Sequence, residues 1–122
     1  MSSESVRDIG DLMTGDLVAI RPEDRAGRAL NILLSSGLHA LPIIDEAGAP
    51  AGMVTTADLA PIDAGIPVGE RFIGPPLTLD RSASVAEAAS LMRGEFVHHI
   101  IVTEGAIAVG MLSSHDLLKM LE

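Results

Sequence analysis

Shifted against itself by 59 positions, this sequence overlays its own second half, so any fold must accommodate two copies of one unit. Ile9-Gly10-Asp11 falls on Val68-Gly69-Glu70, and Leu17-Val18-Ala19-Ile20 on Pro76-Leu77-Thr78-Leu79. Ala29 through His39 falls on Ala88 through His98 without a gap. A hairpin loop then loses one residue, the shift becomes 58, and Gly52-Met53-Val54-Thr55-Thr56-Ala57-Asp58-Leu59 falls on Gly110-Met111-Leu112-Ser113-Ser114-His115-Asp116-Leu117. A single duplication accounts for every correspondence.

Within each copy the pattern predicts β-α-β-β-α. A short apolar strand, Leu17 to Ile20 or Leu77 to Leu79, precedes an amphipathic helix. In the second copy Val85, Ala88, Ala89, Met92 and Phe96 form the helix stripe. Ser82 or Ser84 is the candidate cap, and Glu87 would complete a box with Ser84. In the first, Leu30, Leu33 and Leu34 form the stripe and Gly37 ends it. Two strands follow around a turn, Ala40 to Ile44 and Ala51 to Val54, then His99 to Thr103 and Ile107 to Leu112. A last helix begins near Thr56 or Ser114; Pro61 cuts the first short, and the second runs from Asp116 to Glu122. Pro61 to Pro67 reads as a linker. Ser5 to Met13 is predicted to add a leading helix with Val6, Ile9 and Met13 on one side.

Composition narrows the function classes. The formal charge is -9, from 8 Lys plus Arg against 17 Asp plus Glu, so no basic stripe is available for a phosphate backbone. Phe72 and Phe96 are the only aromatics, too few for stacking single strands. Nucleic acid is excluded as an expected partner. No apolar run approaches the roughly 18 residues that span a bilayer. Met1 to Glu4 lacks the features of a signal peptide. A cytoplasmic protein without membrane contact is the expectation. Cysteine is absent, which removes disulfides and thiolate metal sites. His98 and His99 are adjacent in a strand and point to opposite faces, so they cannot chelate one ion together; His39 and His98 are equivalents that could approach each other, but packing histidines are the expectation and no metal site is assigned. There is no Gly-x-Ser-x-Gly elbow, Walker-type loop or His-Glu-x-x-His, and an enzyme is not expected.

Two tandem β-α-β-β-α units, each closing on Gly-apolar-apolar-Ser/Thr-x-x-Asp, resemble a pair of cystathionine β-synthase-type (CBS) domains. Asp11-Leu12-Met13-Thr14 and His39-Ala40-Leu41-Pro42 add to the resemblance, which runs from about Ile9 to Leu121. It implies an α+β fold in which the repeats are related by a pseudo-twofold axis, sheets packed together and helices outside. The repeats would be 1–62, with the leading helix, and 63–122, with the linker, forming one compact module. It further implies a non-catalytic regulatory module that needs no cofactor. An adenosyl ligand (AMP, ADP, ATP or S-adenosylmethionine) would bind in clefts between the repeats. By resemblance the ribose falls to Asp58 and Asp116, and phosphate to Thr55 and Ser113. The adenine pocket falls to Leu41, Pro42, Ile100, Ile101, Thr78 and Ala19.

The residues are consistent with these roles. A carboxylate accepts from both hydroxyls of a ribose, and a hydroxyl at a helix start lies among unpaired amides. His115, beside Asp116, is placed to reach a phosphate; Arg21, Arg25 and Arg81 are weaker candidates. Gly52 and Gly110 interrupt strands, which suggests that something comes close, the sugar–phosphate end of a ligand being one candidate. Ser/Thr-x-x-Asp is also a capping box, and capping is compatible with ligand binding. Ala19 against Thr78, and Pro42 against Ile101, make the sites unequal and leave open which is filled. Leu117, Leu118, Met120 and Leu121 crowd more than one helical face, which suits a homodimer contact. A ligand-free dimerisation scaffold is therefore the alternative function. No further domain is seen, so the output is expected to pass to an unidentified protein partner.

Overall fold

The structure, a computed structural model, describes residues 6–121. Met1 to Ser5 and Glu122 lie outside the described residues, and with them the amino-terminal stretch, the start of the predicted leading helix and the end of the predicted last one. The chain divides into two compact units, Val18–Pro76 and a second made of Met1–Leu17 with Leu77–Glu122.

In the unit Val18–Pro76, helix α1 (Ala26–Ser36) precedes strands β1 (Ala40–Ile44) and β2 (Pro50–Thr55) and the one-turn helix α2 (Thr56–Leu59). The strands are antiparallel, with Ala40 opposite Thr55 and Leu41 opposite Val54. Asp45 closes the hairpin by accepting the amides of Ala47 and Ala49, each at 2.9 Å. Gly37 ends α1 in the left-handed region, φ 75, with its amide bonded to the Leu33 carbonyl. The buried stripe of α1 is Ala26, Ala29 and Leu33, whereas Leu34 is 67% exposed. Leu34 is one residue, about 100° of helix, past Leu33, so the stripe runs through Ala26, Ala29 and Leu33 and leaves Leu34 outside it.

The other unit holds β3 (Thr78–Asp80), α3 (Val85–Glu95), β4 (His99–Glu104), β5 (Ile107–Ser113) and α4 (Ser114–Leu117). A 3-10 turn, Leu118–Leu121, follows α4, so the last helix is shorter and less regular than predicted. β3 pairs parallel with β4, Thr78 opposite Ile101; β4 pairs antiparallel with β5, His99 opposite Ser113. Ala88 and Met92 of α3 pack on Ile100, Val102 and Leu112. Ser84 caps α3 by accepting the Glu87 amide at 3.0 Å, while Ser82 is turned to Asp80. Phe96, predicted within the stripe, is 92% exposed and lies past the helix end at φ 55.

Three strands form in one unit and two in the other, for a local reason. The Ile101 amide donates to the Leu77 carbonyl at 3.1 Å and locks β3 to β4. The equivalent residue is Pro42, which has no amide hydrogen to give Val18. The predicted strand Leu17 to Ile20 is accordingly reduced to one bridge, Ile20 to Ile43.

Each unit is completed by the segment that leads into the other repeat. Ile9 and Gly10 donate to the carbonyls of Ala83 and Arg81 at 3.0 Å, and Ile9 and Leu12 are buried against Ala88 and Met92. In the same manner Val68 and Gly69 donate to Asp24 and Pro22 at 2.8 Å, with Val68 in the other core. Arg25, at the start of α1, makes no side-chain cap, and the linker supplies it: the amides of Ala26 and Gly27 bond to the carbonyls of Ile66 and Ala64. The predicted leading helix is instead a single 3-10 turn, Ile9–Asp11, boxed by Asp8 and Asp11.

Candidate functional site

The two Ser/Thr-x-x-Asp motifs fold alike. β2 ends on Thr55 in an extended conformation and α2 starts one residue later. Thr55 Oγ1 accepts the Asp58 amide at 3.2 Å, and Asp58 Oδ2 accepts the Thr55 amide at 2.9 Å. At the end of β5, Ser113 Oγ accepts the Asp116 amide at 3.1 Å and Asp116 Oδ2 accepts the Ser113 amide at 2.8 Å. Both are reciprocal capping boxes, each cap contributing about 1 kcal/mol. The helices they open have four residues each, too short for aligned peptides to build much of a dipole. An anion there would meet the hydroxyls, which accept in the box and keep a proton to donate, and the first-turn amides, with little help from a macrodipole.

Beyond the shared turn the two carboxylates differ. Asp58 is exposed, and its Oδ1 takes no hydrogen bond among the described residues. Asp116 is 7% exposed, and its Oδ1 accepts the Lys119 ammonium at 3.0 Å. Lys119 was not among the candidate residues read from the sequence. The signal was local: it is the only lysine of the chain, and it stands three positions after the motif's aspartate.

The remaining candidates separate by strand face. Leu41 and Ile100 belong to the apolar cores of their own units, with Ile43 and Val102 two positions on. Pro42 and Ile101 point to the opposite faces of β1 and β4 and are also fully buried. Thr78 is half-buried opposite Ile101, and Ala19 is exposed. His115 is exposed, and its imidazole makes no hydrogen bond among the described residues. The Arg25 guanidinium bonds to the Gly65 carbonyl, and Arg81 pairs with Glu104 at 3.9 Å. His98 Nδ1 lies 3.3 Å from Ser114 Oγ. Among the described residues no group of three or more His, Asp or Glu converges on a point that would hold a metal ion.

The strand glycines have a different cause from the ligand suggested by sequence. A Cβ on Gly52 would run into the Phe72 carbonyl oxygen, and one on Gly110 would lie 2.8 Å from the Thr14 carbonyl oxygen. What comes close is the chain's own leading segment, bridged at Ile73 to Gly52 and at Thr14 to Met111. No described helix is long and apolar enough to cross a membrane.

A family model for the CBS domain matches the chain twice, over residues 6–64 and 68–122. An uncharacterized protein of Methanocaldococcus jannaschii is 27% identical over 88% of this chain and 30% of its own length. The chain thus spans less than a third of the length of that relative. Among solved structures, Hypoxic Response Protein I with two coordinated zinc ions superposes with a TM-score of 0.84 at 22% identity, covering 94% of this chain and 99% of that one. CBSX2 in complex with AMP does so with a TM-score of 0.84 at 22% identity, covering 95% and 96%.

Proposed function

Because the chain belongs to the CBS domain family, we propose that it is a non-catalytic regulatory module that binds an adenosyl ligand: AMP, ADP, ATP or S-adenosylmethionine. The observation that carries this reading is Asp58. It is fixed by its capping box, lies exposed, and keeps one carboxylate oxygen uncommitted among the described residues. A ribose presents two adjacent hydroxyl donors, and an ionised carboxylate with a fixed backbone is a strong acceptor for them. Thr55 and Ser113 are assigned to the phosphate end, with His115 as an auxiliary. Pro42, Ile101 and Thr78 are assigned to the base, together with the backbone beside Leu41, Ile100 and Ala19. AMP in the complex with CBSX2 supports the ligand class. The scarcity of cations, 8 Lys plus Arg in the chain, favours few phosphates over many. Ligand binding would bias one of two shapes and so change the surface offered to a protein partner.

Thermal melting tests this. At a hundredfold excess over Kd, a ligand stabilises by about 2.7 kcal/mol, on the order of ten degrees for a domain of this size. Asp58→Ala should cut that shift by about half or more, because losing a hydrogen bond to a charged group weakens binding about tenfold or more. A shift unaffected by either Asp58→Ala or Asp116→Ala would remove the ribose assignment.

A ligand-free dimerisation scaffold is the second reading, and specific exposure favours it: Leu34 is 67% exposed, Leu118 53% and Phe96 92%. Leu117 and Met120 are committed to their own unit's core, and the side chain of Leu121 lies outside the description. No melting shift with any adenosyl compound, together with a dimer by sedimentation, would decide for the scaffold.

A further inference from the structure

Asp58 and Asp116 occupy the same place in the two copies but stand in different states. Asp116 is withdrawn from water, and both of its oxygens are engaged, Oδ2 by the Ser113 amide and Oδ1 by the Lys119 ammonium at 3.0 Å. The ion pair is possible because α4 continues into the 3-10 turn Leu118–Leu121, which brings residue 119 back over residue 116. At the equivalent of Lys119 the first copy has Pro61. Proline carries no charge and no amide hydrogen, and it follows directly on the cap of the four-residue helix α2. Nothing on that turn can reach Asp58 as Lys119 reaches Asp116.

A vicinal diol approaching Asp58 displaces water alone. At Asp116 it must displace a charged donor already in hydrogen-bond contact, at a carboxylate where solvent screens the pair less than at the surface. We propose, resting on the adenosyl-ligand reading above, that the chain binds one ligand, at Asp58, and that Lys119 occupies the Asp116 position as an internal competitor for the ribose hydroxyls. The duplication then yields one working site and one closed by its own lysine.

Isothermal titration of the full chain with AMP tests this. The wild type should bind one AMP per chain. Asp58→Asn, which retains an acceptor for the Thr55 amide, should weaken binding about tenfold or more, the scale of a hydrogen bond to a charged group. Asp116→Asn should leave stoichiometry at one and affinity within about twofold, a margin below that of one such bond. Lys119→Met should raise the stoichiometry from one to two and enlarge the melting shift produced by AMP; melting without ligand checks that each variant is folded. Two equal sites in the wild type, or binding lost in Asp116→Asn and kept in Asp58→Asn, would overturn the assignment. So would a Lys119→Met protein that still binds one AMP, or binds it more weakly because Lys119 meets the phosphate. If neither AMP, ADP, ATP nor S-adenosylmethionine binds the wild type or Lys119→Met, the adenosyl reading itself falls, and the asymmetry with it.

Discussion

Gly37 and Phe96 are equivalent residues one step past the long helices, and both backbones are left-handed, φ 75 and φ 55. For glycine that conformation is free of Cβ strain, whereas a side chain there costs roughly 1 kcal/mol. The Phe96 ring is 92% exposed, so packing within the chain does not offset the strain. Phe96→Gly should therefore raise stability by about 0.5–1 kcal/mol, a gain of roughly 2–5 °C in Tm. A fall instead would mean that the ring is covered in solution by another copy. Asp80 offers a second test at this scale. It accepts the Ser82 hydroxyl at 2.7 Å, the Ser82 amide at 3.0 Å and the Gly105 amide at 3.3 Å. These bonds, the Ser82 hydroxyl first, hold its carboxyl below the ordinary value of 3.8. A group with a depressed folded pKa stabilises the fold above its unfolded value, and that contribution disappears as pH falls through the lower folded one. Urea midpoints should accordingly drop more between pH 5 and pH 3 for the wild type than for Asp80→Asn. Equal drops would show that the Asp80 turn opens before the carboxylate is protonated.

At the scale of elements, glycine positions distinguish close packing from open space. Gly52→Ala would drive a methyl group into the Phe72 carbonyl, and backbone has no rotamer by which to yield. Gly94 lies in α3 with nothing within 4 Å of a Cβ. We expect Gly52→Ala to lose about 2 kcal/mol or more through overpacking. Gly94→Ala should gain about 0.5–1 kcal/mol through helix propensity. Chemical denaturation of the pair checks both, and a neutral Gly52→Ala would mean that the leading segment does not lie against β2. The same comparison shows where sequence is informative. Strand alternation and helical spacing are local, so β1, β2, β4, β5 and α3 were legible within a residue or two, as was the end of α1 at Gly37. Duplication made the repeated turn at Thr55 and Ser113 legible as well. Local pattern failed where one residue changed the hydrogen bonding, as Pro42 does in reducing the first strand to a bridge. It failed too where alanine outranked leucine for a buried face, as Ala29 does over Leu34. Of the candidate site, the capping aspartates were visible but not their difference, because the Lys119 ion pair depends on how the chain turns after α4.

At the scale of the whole molecule, connectivity and compactness disagree. Residues 6–17 open the first repeat in sequence yet finish the core of the second, and residues 61–76 finish the core of the first. No local signal announces this, since the Ile9 amide bonds to the Ala83 carbonyl, more than seventy positions away, and periodicity is blind to such distances. The physical cause is that a two- or three-stranded sheet with one long helix leaves an apolar flank open, and a leading segment bearing Ile9 and Leu12, or Val68, covers it. The consequence is a crossed pattern of destabilisation. Ile9 is fully buried, and Ile9→Ala should cost about 2–4 kcal/mol. That loss should emerge first as faster amide exchange in His99–Glu104 and Ile107–Ser113, ahead of Ala40–Ile44 and Pro50–Thr55. Val68→Ala, a substitution in the second repeat, should do the reverse and loosen β1 and β2 first. Hydrogen exchange resolved by residue reads both. If Ile9→Ala loosened β1 and β2 while β4 and β5 kept their protection, the leading segment would belong to its own repeat after all.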